Sequence, residues 1–197
     1  MKTLILLPAV LVAATMPFAR PVTTDLPLGP NDWDIDGAHS SVVFKVRHAD
    51  ASWFFGTFDK IDGTVTLDPK DPAKGSVTLT IPVASIDTND AKRDGHLKSP
   101  DFFNAKENPD ITFASTAIVA KGDDLQVTGE LSMAGATKTI SMNVEHVGDG
   151  EFHGTRRGYL ATFPVKRSDF GMTYGVDQNV LGDEVTLTIS LELVQPQ

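Results

Sequence analysis

Asp169-Phe170-Gly171, inside the stretch KRSDFGMTYG, is the tripeptide with which a protein kinase holds the metal that bridges nucleotide phosphates. Kinase chemistry also needs a glycine-rich loop, a lysine on the following strand and a His-Arg-Asp catalytic loop. The chain has none of these, and no Gly-x-x-x-x-Gly-Lys-Ser/Thr phosphate loop. At 197 residues it is also too short for two kinase lobes. Five histidines raise metal ligation next. His39 and His48 stand far apart, His146 and His153 have Gly148 and Gly150 between them, and no His-x-His or His-x-x-x-His pair exists. No metal site is expected from such spacing. A Gly-x-Ser-x-Gly nucleophile elbow is missing as well, so no catalytic residue is assigned.

Arg93, Asp94, His96 and Asp101 share one segment. Arg93 precedes His96 by three residues and Leu97 by four, so a helix would place all three on one face. Two readings are open: a polar ring that meets a ligand headgroup, or an ion-pair network that fastens the segment to its neighbours. Arg167 and Asp169 fall just before Gly171 and can join either arrangement.

The net charge is -9 and the isoelectric point about 4.9. A surface this acidic repels phosphate backbones, which argues against nucleic-acid binding. Without cysteine, the chain has no disulfide, thiol nucleophile or cysteine-ligated metal. The start, MKTLILLPAVLVAATMPFAR, has one basic residue, an apolar run from Leu4 to about Thr15, and small residues after it. That pattern predicts a signal peptide over residues 1–19, with the cleavage site left open, and a periplasmic or secreted protein. The apolar run is shorter than the roughly 20 residues a transmembrane helix needs. Proline-rich residues 20–32 read as a flexible lead-in, and the folded domain is expected over 33–195.

From Trp33 the dominant period is two, the mark of half-buried strands. SVVFKVRH sets Val42, Phe44, Val46 and His48 against Val43, Lys45 and Arg47. Ile61, Gly63, Val65 and Leu67 form one face of KIDGTVTLDP, and Val77, Leu79, Ile81 and Val83 one face of SVTLTIPVAS. Ile111, Phe113, Ser115, Ala117 and Val119 are expected on one face of DITFASTAIV. Leu125 to Met133, Ile140 to His146 and Val185 to Leu193 alternate in the same way, whereas RGYLATFPV is less regular. Ile86 to Asp110 has no such alternation. Asn89 or Asp90 can cap a short helix there, placed after about the fourth strand. Outward threonines and inward aliphatics describe an antiparallel sheet that is wet on one side. It must cover its apolar face with a second sheet or close into a barrel, and periodicity does not choose between them. The inward mixture of large residues with Gly63, Ser115, Ala117 and Gly129 suits a packed core or a lumen.

The segments WDIDGAHSSVVFKVRH, ASIDTNDAKRDGHLKSPDFFNAKENPDITFAST, VTGELSMAGATKTISMNV, KRSDFG and GDEVTLTISLEL resemble the YceI-like family of polyisoprenoid-binding proteins, in order from Trp33 to about Leu193. The resemblance implies an all-β fold, an antiparallel eight-stranded lipocalin-like barrel with a short helical insertion around residues 89–106. It also implies an isoprenoid lipid, such as a quinone or its precursor, as ligand, with no cofactor and no catalysis. The lumen would then be lined by Phe44, Val46, Phe58, Val65, Leu79, Ile81, Phe102, Phe103, Phe113, Leu131, Met142, Phe170, Leu187 and Ile189. Arg93, Asp94, His96, Asp101, Arg167 and Asp169 would form the polar rim or a structural ion-pair network. In this setting Asp169-Phe170-Gly171 reads as a strand-to-loop corner. Phe170 is expected to be buried, Arg167 to pair with Asp169, and Asp169 to accept a hydrogen bond from protein. Trp53, Phe54 and Phe55 read as mouth or core residues, with a transient membrane contact and a homodimer as open partner readings. The alternatives are an enzyme acting on a lipid-like substrate and a stress-linked interaction protein.

Overall fold

The computed structural model describes residues 31–68 and 70–195. The expected signal peptide and most of the lead-in therefore lie outside the described residues. The elements are β1 (Asp32–Ile35), β2 (Ser41–His48), β3 (Ser52–Phe58), β4 (Asp62–Thr66), β5 (Ser76–Pro82), β6 (Ile86–Asp87), α1 (Ala91–Leu97), β7 (Asp110–Lys121), β8 (Asp124–Met133), β9 (Ala136–Glu151), β10 (Thr155–Lys166) and β11 (Leu181–Val194). All pairings are antiparallel. β1 continues into β2, β3 into β4 and β5 into β6 as bent staves, so the eleven strands make an eight-stave barrel. Closure falls on the last strand. β11 pairs with β2 at Thr188 and Val43, and with β1 at Val194 and Asp34. A closed ring removes the exposed edges that an open sheet of this size would carry.

The alternation explains the two faces. Val42, Val65, Leu79, Leu131 and Met142 are buried inside. Outward threonines pair across strands, Thr64 with Thr78 at 2.8 Å and Thr162 with Thr188 at 3.2 Å, a favourable use of β-branched residues on a wet face. β10 turns out to alternate without a break, burying Tyr159, Ala161, Phe163 and Val165. Outward Leu160 and Pro164 hide this pattern in the sequence.

One face was misassigned by simple alternation. The register of β7 on β8 shifts between Ser115 and Ala117, which leaves Thr116 as the extra residue of a bulge. An inserted residue moves every later side chain to the other face. Ile118 is therefore buried, and Ala117 and Val119 point outward. Ser115 marks the bulge by accepting a hydrogen bond from the Val77 amide at 2.8 Å.

SWFFGTF, left without a strand assignment above, is β3. Gly56 lies opposite Phe44 of β2, and a Cβ there would collide with the Phe44 ring. Glycine at this position is a close-approach device, not a break in the strand. α1 follows the third stave, not the fourth. Asp90 caps it by accepting from the Arg93 amide at 2.9 Å, while Asn89 takes a left-handed φ of 61° to turn the chain into the cap.

Candidate ligand lumen and its rim

The inward faces of the staves enclose a cavity of about 170 Å³. Its wall includes Phe44, Val46, Phe58, Val65, Leu79, Ile81, Phe102, Phe103, Phe113, Leu131, Met142, Leu187 and Ile189. Phe170 is buried, at 3 % exposure, yet it packs in the core away from the cavity wall. The wall also takes Leu97, Met133, Ala161, Phe163, Met172 and Leu181, which the sequence reading did not name as lumen residues. The period of β10 points to Ala161 and Phe163. No local pattern points to Met172, which reaches the wall from the β10–β11 connection.

Among the described wall residues, only Thr112, Tyr159 and Arg167 have polar side-chain atoms. Arg167 is 4 % exposed and spends its donors on backbone carbonyls: Nε on Gly182, Nη1 on Met172 and Nη2 on Leu181, each at 2.8 Å. Burial lowers its pKa from the ordinary arginine value, and the nearby Asp183 charge opposes that shift. The expected Arg167–Asp169 pair does not form. Among the described residues nothing donates to Asp169, which sits exposed on the single helical turn Arg167–Phe170. Asp183 is the structural acid instead, accepting from the Ser168 amide at 2.9 Å and its hydroxyl at 2.8 Å. Gly171, at φ 81°, closes the corner as expected.

The Arg93, Asp94, His96 and Asp101 set divides into two fastenings. Thr88, itself buried, is the hub of the first. Asp94 accepts from the Thr88 amide at 2.9 Å and from its hydroxyl. Arg93 donates Nε to Thr88 Oγ1 at 2.8 Å and Nη2 to the Thr88 carbonyl at 2.6 Å. The Arg93 guanidinium also lies 4.4 Å above the Phe54 ring of β3. In the second fastening, His96 Nε2 meets Asp101 Oδ2 at 3.0 Å. The imidazole packs edge-on against Phe102 at 5.1 Å and Tyr174 at 4.9 Å. The helical segment is thereby tied to β3 on one side and to the β10–β11 connection on the other.

The opposite end is closed by packing. Trp33, Val65, Leu67, Tyr159 and Leu193 form a second buried cluster there. Arg157 lies 5.1 Å from the Trp33 ring and forks onto Asp149 at 2.7 and 3.2 Å. That pairing holds the Asp149 carboxyl below its ordinary pKa. Beside this floor, Arg156 bridges Asp36 and Glu192, and His39 meets Asp36 at 3.0 Å. Asp36, His39 and Glu192 bring potential ligand atoms within 4.8 Å of one another, but the Arg156 guanidinium already binds both carboxylates. Hydrogen bonds from Arg156, then His39, keep Asp36 well below the usual carboxylate range.

An antiparallel, up-and-down barrel with an apolar lumen, a packed floor and a helical segment across the other end is the class of protein that fold and site define. Residues 33–193 match the YceI-like domain, and the chain belongs to that family. It is similar to Protein YceI of Escherichia coli O17:K52:H18, 42% identical over 164 residues that cover 82% of this chain and 85% of that protein. The fold is shared with BcnA of Burkholderia cenocepacia, at TM-score 0.74 and 32% identity, over 81% of this chain and 99% of that one. A polyisoprenoid binding domain from Saccharophagus degradans has the same fold at TM-score 0.66, with 17% identity, over 83% of this chain and 98% of its own.

Proposed function

We propose that this protein binds and carries an isoprenoid lipid in its lumen, without turnover, in the periplasm. The observation that carries the reading is the wall itself: aliphatic and aromatic on every stave, with the one cation among its described residues committed to backbone carbonyls. A polyprenyl chain has almost no hydrogen-bonding groups, so such a wall suits it. Burying about 500 Å² of it at roughly 25 cal/mol per Å² is worth on the order of 12 kcal/mol before ordering costs. The polar headgroup belongs at the rim, since the wall surface is almost wholly apolar. The helix end is the entrance, because Leu97, Phe102 and Phe103 on one side and Met172 on the other line it from outside the strand ladder. The ligand named for the Saccharophagus degradans domain and the leader-like start of the chain support the reading.

The test is mass spectrometry of the lipid extract from purified protein, followed by titration of the emptied protein with a prenyl quinone. An isoprenoid in the extract and saturable one-to-one uptake are expected. An extract free of isoprenoid together with no saturable uptake overturns the proposal.

A further inference from the structure

The outer face of β3 has a feature that lumen binding does not require. Trp53 and Phe55 stand 50% and 58% exposed, in register with Arg47 and Lys45 of β2. Lys45 Nζ is 4.7 Å and Arg47 Cζ 5.5 Å from the centre of the Trp53 ring. β6 pairs only with Thr57 and Phe58, so the Trp53–Phe55 half of β3 lies beyond that ladder. Two further exposed apolar residues sit at this same end: Tyr174 packs on His96, and Val180 accepts from the Ala49 amide at the β2–β3 turn. Among the described residues, the one carboxylate paired with either cation is Asp50, 3.9 Å from Arg47. On a chain of net charge -9, this is a locally cationic, aromatic strip beside the entrance.

We infer that Lys45, Arg47, Trp53 and Phe55 dock the entrance of the barrel onto a bilayer with anionic headgroups. An indole flanked by long cationic side chains fits the boundary between acyl chains and phosphates. The rings enter the interface, and the cations stay at headgroup level. The choice of a bilayer over a second protein rests on the carrier reading above, because lipid cargo must leave a membrane without crossing water.

The two tryptophans make the test direct, since Trp33 is 5% exposed and Trp53 50%. The full chain is mixed with phosphatidylcholine vesicles carrying brominated acyl chains, with or without phosphatidylglycerol. Trp53 emission is expected to shift to the blue and be quenched with the anionic vesicles, less so as salt rises. A Trp53→Phe chain, which leaves only Trp33, should not be quenched. Lys45→Glu with Arg47→Glu, and separately Phe55→Ser, should cut the quenching at a fixed lipid concentration by about tenfold. A leader that merely tethers the chain would leave Trp53 in water. Retained circular dichroism and prenyl-quinone uptake from solution show that the variants are folded. Trp53 that stays unquenched at saturating anionic lipid overturns the inference. So does quenching that charge reversal leaves unchanged, or a dimer in solution that the Phe55 variant dissociates. A lumen that takes up no isoprenoid while Trp53 still enters anionic bilayers refutes the carrier reading alone.

Discussion

Asp36 shows how one carboxylate can report on the closure of the barrel. It sits between β1 and β2, yet its partner Arg156 comes from β10, and Glu192 of β11 shares that guanidinium. Its folded pKa lies below the ordinary aspartate value of about 3.9. A depressed carboxylate stabilises the fold above its unfolded pKa, and this contribution is lost as pH falls toward the folded value. Thermal unfolding from pH 7 to pH 2 should therefore show stability falling below about pH 4. Asp36→Asn should be less stable at neutral pH and show a shallower acid limb. An unchanged acid limb would assign the loss to other carboxylates, Asp149 among them. Arg167 and Asp183 were harder to foresee. Asp169 is two residues from Arg167 in sequence, but the turn points it to water, and the acid that supports this corner arrives from the start of β11.

At the scale of elements, β2 and β3 depend on each other through Phe44 and Gly56. A methyl group at Gly56 must displace the Phe44 ring, which also packs on Phe58 at 5.8 Å. Gly56→Ala should cost about 1–3 kcal/mol in chemical denaturation, as overpacking does. Phe44→Leu in the same background should recover part of that loss. The helical segment and the β10–β11 connection depend on Tyr174, whose ring meets His96 at 4.9 Å and Phe102 at 5.3 Å. Both segments belong to the end proposed above as the entrance. Removing aromatic packing worth about 0.5–1.5 kcal/mol in Tyr174→Ala should speed lipid exchange about two- to tenfold. Stopped-flow transfer of a fluorescent polyene lipid measures this, and an unchanged rate would place the exchange route elsewhere.

For the molecule as a whole, a lipid bound only by the folded barrel raises stability by mass action. Delipidated protein should melt lower than protein as purified, and adding a prenyl quinone to 100 times its Kd should restore about 2.7 kcal/mol. Equal melting of emptied and refilled protein would show that the lumen holds no such ligand. Much of this architecture is legible in the residues because side-chain alternation in a strand is local. Val42, Leu79, Leu131 and Leu187 need only their immediate neighbours to be placed inside. The break in alternation after Ile86 and the Asn89-Asp90 cap signal marked the helical insertion, and the resemblance supplied the barrel and the family. Tertiary structure alone decided the rest. It set the closing pairs of β11 with β1 and β2, the bulge at Thr116 that turns Ile118 inward, and the choice of Asp183 as the acid near Arg167. It also made a lumen out of a pattern that suits a packed core at least as well. An inward Leu reads the same in both, and only the distance across the closed ring determines whether the staves meet or leave room between them.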